Sequence, residues 1–398
     1  MPRSSARELA TASFQLFFLF IIVGMYGAWL ISLWWNLDNE SFWQRDWHCL
    51  WAAGQQVWTG DLSAVYTAEF GTVNTSVCRE GLFWLYPPYA LYPVALFALL
   101  PPLPAYLGIM GLTVAACMLV GRLIARQYPH AKETWVVFFL GFLAASPVHS
   151  NVVLGQNSAW LTLAILFGVW GLQTQNRALA ACAFSVLALK PNWILLFGVW
   201  LVVQKQWRTV GYLTALGCAF GVCSLGFGPD LWRDFFVSSR GYGAFVLETY
   251  PLGRLITSHA TLRGLGWIDL GSIPWVWLLL QGLVLTATWV TWRSDRSLMA
   301  KAGITVLATI TCNVYTNFYD ALVLVVPVAV WWFERPRYRT HHWWSIPGLI
   351  CATWLWLWFR IIGGDFYTPN VAPIGFLLVT WAVFEGFVSK TKRKSLGS

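Results

Sequence analysis

Residues 14–35 read FQLFFLFIIVGMYGAWLISLWW, a stretch without a single charged side chain. About 20 apolar residues in a helix cross the hydrocarbon of a bilayer. Arg3 and Arg7 precede the run, and no small-residue cleavage site follows it. It therefore reads as a retained anchor with its N-terminus in the cytoplasm. Comparable runs recur at roughly 84–100, 104–125, 134–150, 152–173, 178–203, 208–227, 270–292, 299–316, 319–334, 343–361 and 369–388. The expectation is an all-α polytopic membrane protein, one transmembrane domain over 1–398, with about 12 spans (range about 11–13) and both termini cytoplasmic.

Composition agrees. The chain has 398 residues, 58% hydrophobic and only 11% charged, with mean hydropathy +0.57. Soluble domains carry roughly 25% charged residues. A water-soluble fold, a disordered chain and a disulfide-stapled mini-domain are excluded. The net charge of +9 does not signal nucleic acid. Lys390, Lys392, Arg393 and Lys394 form a basic tail, and Lys205/Arg208, Arg293/Arg296/Lys301 and Arg335/Arg337/Arg339 fall on predicted cytoplasmic turns. Simple alternation of spans puts Arg122, Arg126 and Lys132 outside, against the positive-inside rule. A re-entrant segment around Tyr86-Pro87-Pro88 would put them inside.

Two polar stretches interrupt the runs. The first, 36–82, holds Asp38, Glu40, Asp46, Asp61, Glu69 and Glu80 against Arg45 and Arg79, and reads as the first extracytoplasmic loop. Within it Trp47, Leu50, Trp51, Gly54, Val57 and Trp58 recur at helical spacing, predicting an amphipathic helix on the membrane surface. The second, 228–266, is mildly basic and reads as a second long outer loop. Of the eight cysteines, none has zinc-ligand spacing. Cys49 and Cys78 share the first loop and either pair in an oxidising compartment or remain free thiols.

The polar residues that break the apolar pattern are the candidates for chemistry. Asp46, in Arg45-Asp46-Trp47-His48 among Trp43, Trp47 and Trp51, suits a general base beside a sugar, or else is a solvated acid. Gly155-Gln156-Asn157 offers uncharged donors and acceptors, or a helix-capping turn. Lys190-Pro191 interrupts a span, and a buried Lys requires an anion: a substrate phosphate or the carboxylate of Asp320. Tyr315, Asn317, Tyr319 and Asp320 cluster at the start of a span. Arg254 and His259 in the second loop are candidates to meet a phosphate at the membrane face, and Tyr86-Pro87-Pro88-Tyr89 is a rigid aromatic entry to the next run. Scattered Asp and His leave dependence on a divalent metal open, with no ligand set assigned.

The ordered set formed by Asp46-Trp-His-Cys-Leu-Trp-Ala-Ala-Gly54 with Gly60-Asp-Leu-Ser-Ala-Val-Tyr66, Tyr86-Pro-Pro-Tyr89, Gly155-Gln-Asn157, Lys190-Pro191 and Tyr319-Asp320 resembles the family-87 glycosyltransferases, polytopic enzymes of the GT-C fold. Their best-known members are the mycobacterial polyprenol-phosphate-mannose mannosyltransferases. The resemblance implies a polyprenyl-phosphate sugar as donor, mannose foremost, and a lipid or glycan acceptor. It implies transfer at the extracytoplasmic face of the inner or plasma membrane in glycolipid and cell-envelope synthesis. It implies catalysis by Asp46, with Asp320 or Tyr319 standing where some members carry a His on a later span. His48, Tyr86, Gln156, Asn157, Lys190, Asn317, Arg254 and His259 are the expected substrate contacts. The rival readings are a transporter or lipid flippase coupled through Lys190 and Asp320, and a polysaccharide polymerase or ligase.

Overall fold

The computed structural model describes residues 46–62, 64–67, 84–129, 132–248, 250–264, 266 and 275–334, with a few positions between 23 and 31. Most of the predicted span 14–35, all of the spans 343–361 and 369–388, the basic tail and Cys78 lie outside them. Among the described residues the fold is helical throughout. No strand forms, and one isolated antiparallel bridge joins Leu255 to Asn317.

The helices are α1 (Asp46–Thr59), α2 (Leu91–Phe97), α3 (Pro102–Gln127), α4 (Lys132–Ala144), α5 (Ser146–Leu154), α6 (Ser158–Gln173), α7 (Arg177–Ser185), α8 (Pro191–Val203), α9 (Trp207–Ser224), α10 (Asp230–Glu248), α11 (Ser258–Gly264), α12 (Trp275–Trp292), α13 (Leu298–Cys312) and α14 (Val325–Glu334). A 3₁₀ segment, Phe318–Leu324, leads into α14. Among the described residues three helices are long and apolar enough to cross a membrane: α3, α9 with its 3₁₀ extension to Phe227, and α12. α5 and α6 are apolar enough only as a pair, bent by 114° at the break between them, the geometry of a broken span or a re-entrant loop.

The described residues do not reproduce the simple run of full-length spans, and the causes are local. The run 84–100 forms only a 3₁₀ turn and the seven-residue α2, about 10 Å of helix, too short to cross. Pro101 and Pro102 then start α3 afresh. The run 134–150 breaks at Ala145, where Pro147 occupies the first turn of α5. The run 178–203 breaks at Lys190, whose extended backbone precedes Pro191 at the start of α8. Proline lacks the N–H that a helix interior needs and fits only at the first turn.

α1 confirms a helix in the first polar stretch, but it docks on protein. Trp47, His48, Cys49, Ala52, Ala53 and Gly54 are buried. A Cβ on Gly54 would lie 2.5 Å from the Val94 carbonyl oxygen, so only glycine lets α1 approach α2 so closely. Trp58 Nε1 donates to the Ala95 carbonyl at 2.7 Å, Trp51 Nε1 to Leu100 at 2.9 Å, and Gln55 to Ala98. These are carbonyls left without helical partners at the end of α2, so α1 caps the helix it packs on.

The long helices run alternately between two ends. At one end Gln127 and Gln173 exchange hydrogen bonds of 2.8 Å. Glu334 there accepts from Tyr128 at 3.0 Å and Ser297 at 2.6 Å. Lys301 donates to Gln204 at 3.1 Å, and Gln204 in turn to the Trp292 carbonyl. Arg122, Arg126, Lys205, Arg208, Arg293 and Arg296 belong to the same helix ends and turns. Because α2 does not traverse, Arg122 and Arg126 join the other basic turns. A core that includes Phe184, Trp193, Phe197 and Trp200 fills the middle. The polar residues singled out in the sequence lie at the opposite end.

Candidate active site

Three chain segments meet there. The first is the start of α1, where Asp46 is half-buried. The second is the turn between α5 and α6. Gly155 ends α5 with φ 66°, and Gln156 N donates back to the Asn151 carbonyl at 2.9 Å. This left-handed helix end favours glycine. A Cβ on Gly155 would also lie 2.6 Å from Cβ of Trp47, so the turn and the first turn of α1 are in direct contact. Across that contact Gln156 Nε2 donates to Asp46 Oδ2 at 2.5 Å.

The third segment, 315–320, carries the second carboxylate. Asp320 is 2% exposed and heavily engaged. Its Oδ1 accepts from Ser158 Oγ at 2.6 Å and Lys190 Nζ at 2.7 Å. Its Oδ2 accepts from Asn317 N at 3.2 Å, while Asn317 and Asp320 form a capping box at the start of the 3₁₀ segment. Lys190 Nζ also lies 5.2 Å from the centre of the Tyr319 ring. Asn151, fully buried, clamps the second segment to the third. Its Nδ2 donates to the Tyr319 carbonyl at 2.8 Å, and its Oδ1 accepts from Ser158 N at 3.0 Å.

Asn317 gathers tyrosines. Its Nδ2 donates to the hydroxyls of Tyr315 and Tyr319, both at 2.7 Å, and its Oδ1 accepts from Tyr250 at 3.1 Å. Rings of Tyr242, Tyr250 and Tyr315 pack edge to face, with centroids 5.3–6.4 Å apart. The second loop is thereby fastened to the site, helped by the Leu255–Asn317 bridge and by Ile256 N donating to the Thr316 carbonyl at 2.9 Å. The Tyr242 phenol is held above its ordinary range, mainly by burial, with Tyr250 and Asp46 adding to the rise. Tyr86 completes the wall. Tyr66 OH donates to its carbonyl at 2.7 Å, Asn157 hydrogen-bonds its phenol, and Asp320 and Asp46 both act on it electrostatically.

Asp46, Tyr86, Gln156, Asn157, Lys190, Asn317, Tyr319 and Asp320, singled out in the sequence, thus share one region. Arg254 stands next to it, immediately before the bridging Leu255. His48 and His259 are in packing contacts. His48, fully buried, stacks on Tyr106 of α3, with ring centroids 5.5 Å apart. His259 meets Trp277 edge-on at 5.9 Å. Burial first, then the charge of Arg263, lowers the imidazole's proton affinity. Among the described residues no group of three or more His, Cys, Asp and Glu side chains could hold a metal ion. Sequence reasoning missed Asn151, Ser158, Tyr242 and Tyr250. The sequence signal for Asn151 and Ser158 was their nearness to Gly155-Gln156-Asn157. The tyrosines carried none beyond their residue type.

Helices fit for a bilayer, with carboxylates, amides and phenols gathered at one end, are the build of a membrane-embedded enzyme that works on polar groups. Over residues 84–327 the sequence matches glycosyltransferase family 87, and the chain belongs to that family. No curated protein and no solved structure matches it. The matched segment contains the sequence-predicted residues that share the region, apart from Asp46, which Gln156 ties to it.

Proposed function

We propose that this membrane glycosyltransferase moves a sugar, mannose foremost, from a polyprenyl-phosphate carrier to a hydroxyl of a lipid or glycan acceptor, with Asp46 as general base and inversion at the anomeric carbon. The observation that carries the reading is the unequal placement of the two carboxylates, one at the rim and one in the interior. Asp320 is committed to Lys190, Ser158 and the 3₁₀ cap, so it is a positioning residue for Lys190 and Tyr319. Asp46 is half-buried at the rim, where Gln156 Nε2 donates to its Oδ2, and a carboxylate within reach of an incoming hydroxyl is suited to take its proton.

In the proposed step the acceptor O–H gives its proton to Asp46 while its oxygen bonds to the anomeric carbon. The bond from that carbon to the phosphate oxygen breaks, and the electron pair leaves with polyprenyl phosphate. Lys190, held by Asp320, and Arg254 next to the site are the cations proposed to stabilise the departing charge. A β-linked donor then yields an α-linked product.

The reading places the site at the extracytoplasmic face of the inner or plasma membrane, with both termini cytoplasmic and about 12 hydrophobic segments in the whole chain. Two observations support that sidedness. The basic turns lie at the end opposite the site. Cys49, one turn from Asp46, is disulfide-bonded, whereas Cys117, Cys182, Cys218, Cys223 and Cys312 are free. A disulfide belongs to an oxidising compartment, and Cys78 is the partner proposed for Cys49.

The test is to incubate purified protein with a panel of polyprenyl-phosphate sugars and a membrane-lipid extract, then analyse products by mass spectrometry. Wild type should form one hexosylated product and Asp46→Asn none, at equal folding and insertion. Undiminished transfer by Asp46→Asn removes the base assignment.

A further inference from the structure

The acceptor side of the site carries hydrogen-bonding capacity that the protein does not use. A carboxylate only accepts, so the nitrogen of Gln156 faces Asp46 and its carbonyl oxygen points away. That oxygen is buried without a donor, on a side chain 4% exposed. The neighbouring Asn157 Oδ1 is likewise buried without a donor, while the same side chain hydrogen-bonds Tyr86. An amide oxygen stranded in this way carries an unrecovered desolvation penalty. Two successive residues beside the proposed base bear that cost. Both stranded atoms are acceptors, so the subsite calls for a ligand group rich in hydroxyl donors.

Resting on the proposed function, we infer that Gln156 and Asn157 form a diol-binding subsite, so that the acceptor is a sugar or cyclitol presenting two adjacent hydroxyls. One hydroxyl lies at Asp46 with its neighbour against the amide oxygens. The subsite selects by the hydroxyl next to the attacking one, since a site built to bond a hydroxyl rejects an analogue lacking it.

The probe is methyl α-mannopyranoside, and the readout is saturation-transfer NMR on the full chain in nanodiscs. Its 3-deoxy analogue has no vicinal ring diol, whereas the 2-deoxy and 4-deoxy analogues each keep one. Wild type should bind the 3-deoxy compound about tenfold more weakly than the parent, the other two suffering less. Asn157→Ala should weaken the parent about tenfold and abolish most of the 3-deoxy penalty. Asn157→Asp, which keeps an acceptor oxygen, should retain the penalty and guard against a folding artefact. No binding of any mannoside by wild type, or an equal 3-deoxy penalty in wild type and Asn157→Ala, overturns the subsite. A transfer assay on Asp46→Asn, run alongside, separates the two proposals. An active enzyme removes the base, while an inactive one with an unchanged penalty in Asn157→Ala removes the subsite alone.

Discussion

Replacing Asp320 by Leu strands Lys190, 14% exposed at its side chain, beside an apolar group, and it also frees Ser158 Oγ and Asn317 N. Removing one partner of a buried ion pair costs about 3–5 kcal/mol. Against a total stability of about 5–15 kcal/mol, that is a large share. Lys190→Met leaves the carboxylate with two donors, so its cost should fall at the lower end of the range. Replacing both residues removes the pair without stranding either charge. What remains is a lost cap and a lost hydroxyl bond, about 1–2 kcal/mol each. The double variant should thus lose at least about 2 kcal/mol less than the two single losses combined. Unfolding of the detergent-solubilised protein by dodecyl sulfate, followed by circular dichroism, measures all four proteins. Losses that add to within about 0.5 kcal/mol would refute the coupling and with it the positioning role of Asp320.

Gly155→Ala forces a Cβ into the left-handed region and against Trp47. It should cost about 1–3 kcal/mol and lower kcat more than it raises KM, which steady-state kinetics would show. His259, with its proton affinity lowered by burial, makes the fold stable in full above pH 6.5. Stability should fall as the pH drops below that value toward the imidazole's lowered folded pKa. His259→Gln should flatten the difference in Tm between pH 7.5 and pH 5.5, and an unaltered difference counts against it. Oxidation of Cys49 predicts that a membrane-impermeant maleimide labels it in intact cells only after reduction, and labelling without reductant contradicts the disulfide.

The site was legible because its residues break rules that apolar helices otherwise keep. Lys190 interrupts a span with a charge and a proline, and Gly155-Gln156-Asn157 is a polar turn in an apolar run. Asp46 stands in an acidic stretch rich in tryptophan. Each departure has a local cost and so marks a local purpose. Asn151 and Ser158 escaped notice because small polar residues in a helix are satisfied by their own backbone as readily as by a distant carboxylate. Tyr242 and Tyr250 look like interface aromatics until Asn317, far along the chain, collects them. Among the described residues the apolar runs and the helices differ for another reason. Hydropathy registers composition, whereas a single proline at 102, 147 or 191 decides where a helix starts, and α2 shows that an apolar run can yield too little helix to cross.

The basic turns and the assembled site occupy opposite ends of the same helices, and they share no residue. Which way a membrane protein inserts is decided by its flanking cations as it is made, before any pocket exists. Under the proposed sidedness the two ends can vary separately: substitutions among the site residues leave the contacts of the basic turns intact, and substitutions among the basic turns leave the contacts of the site intact.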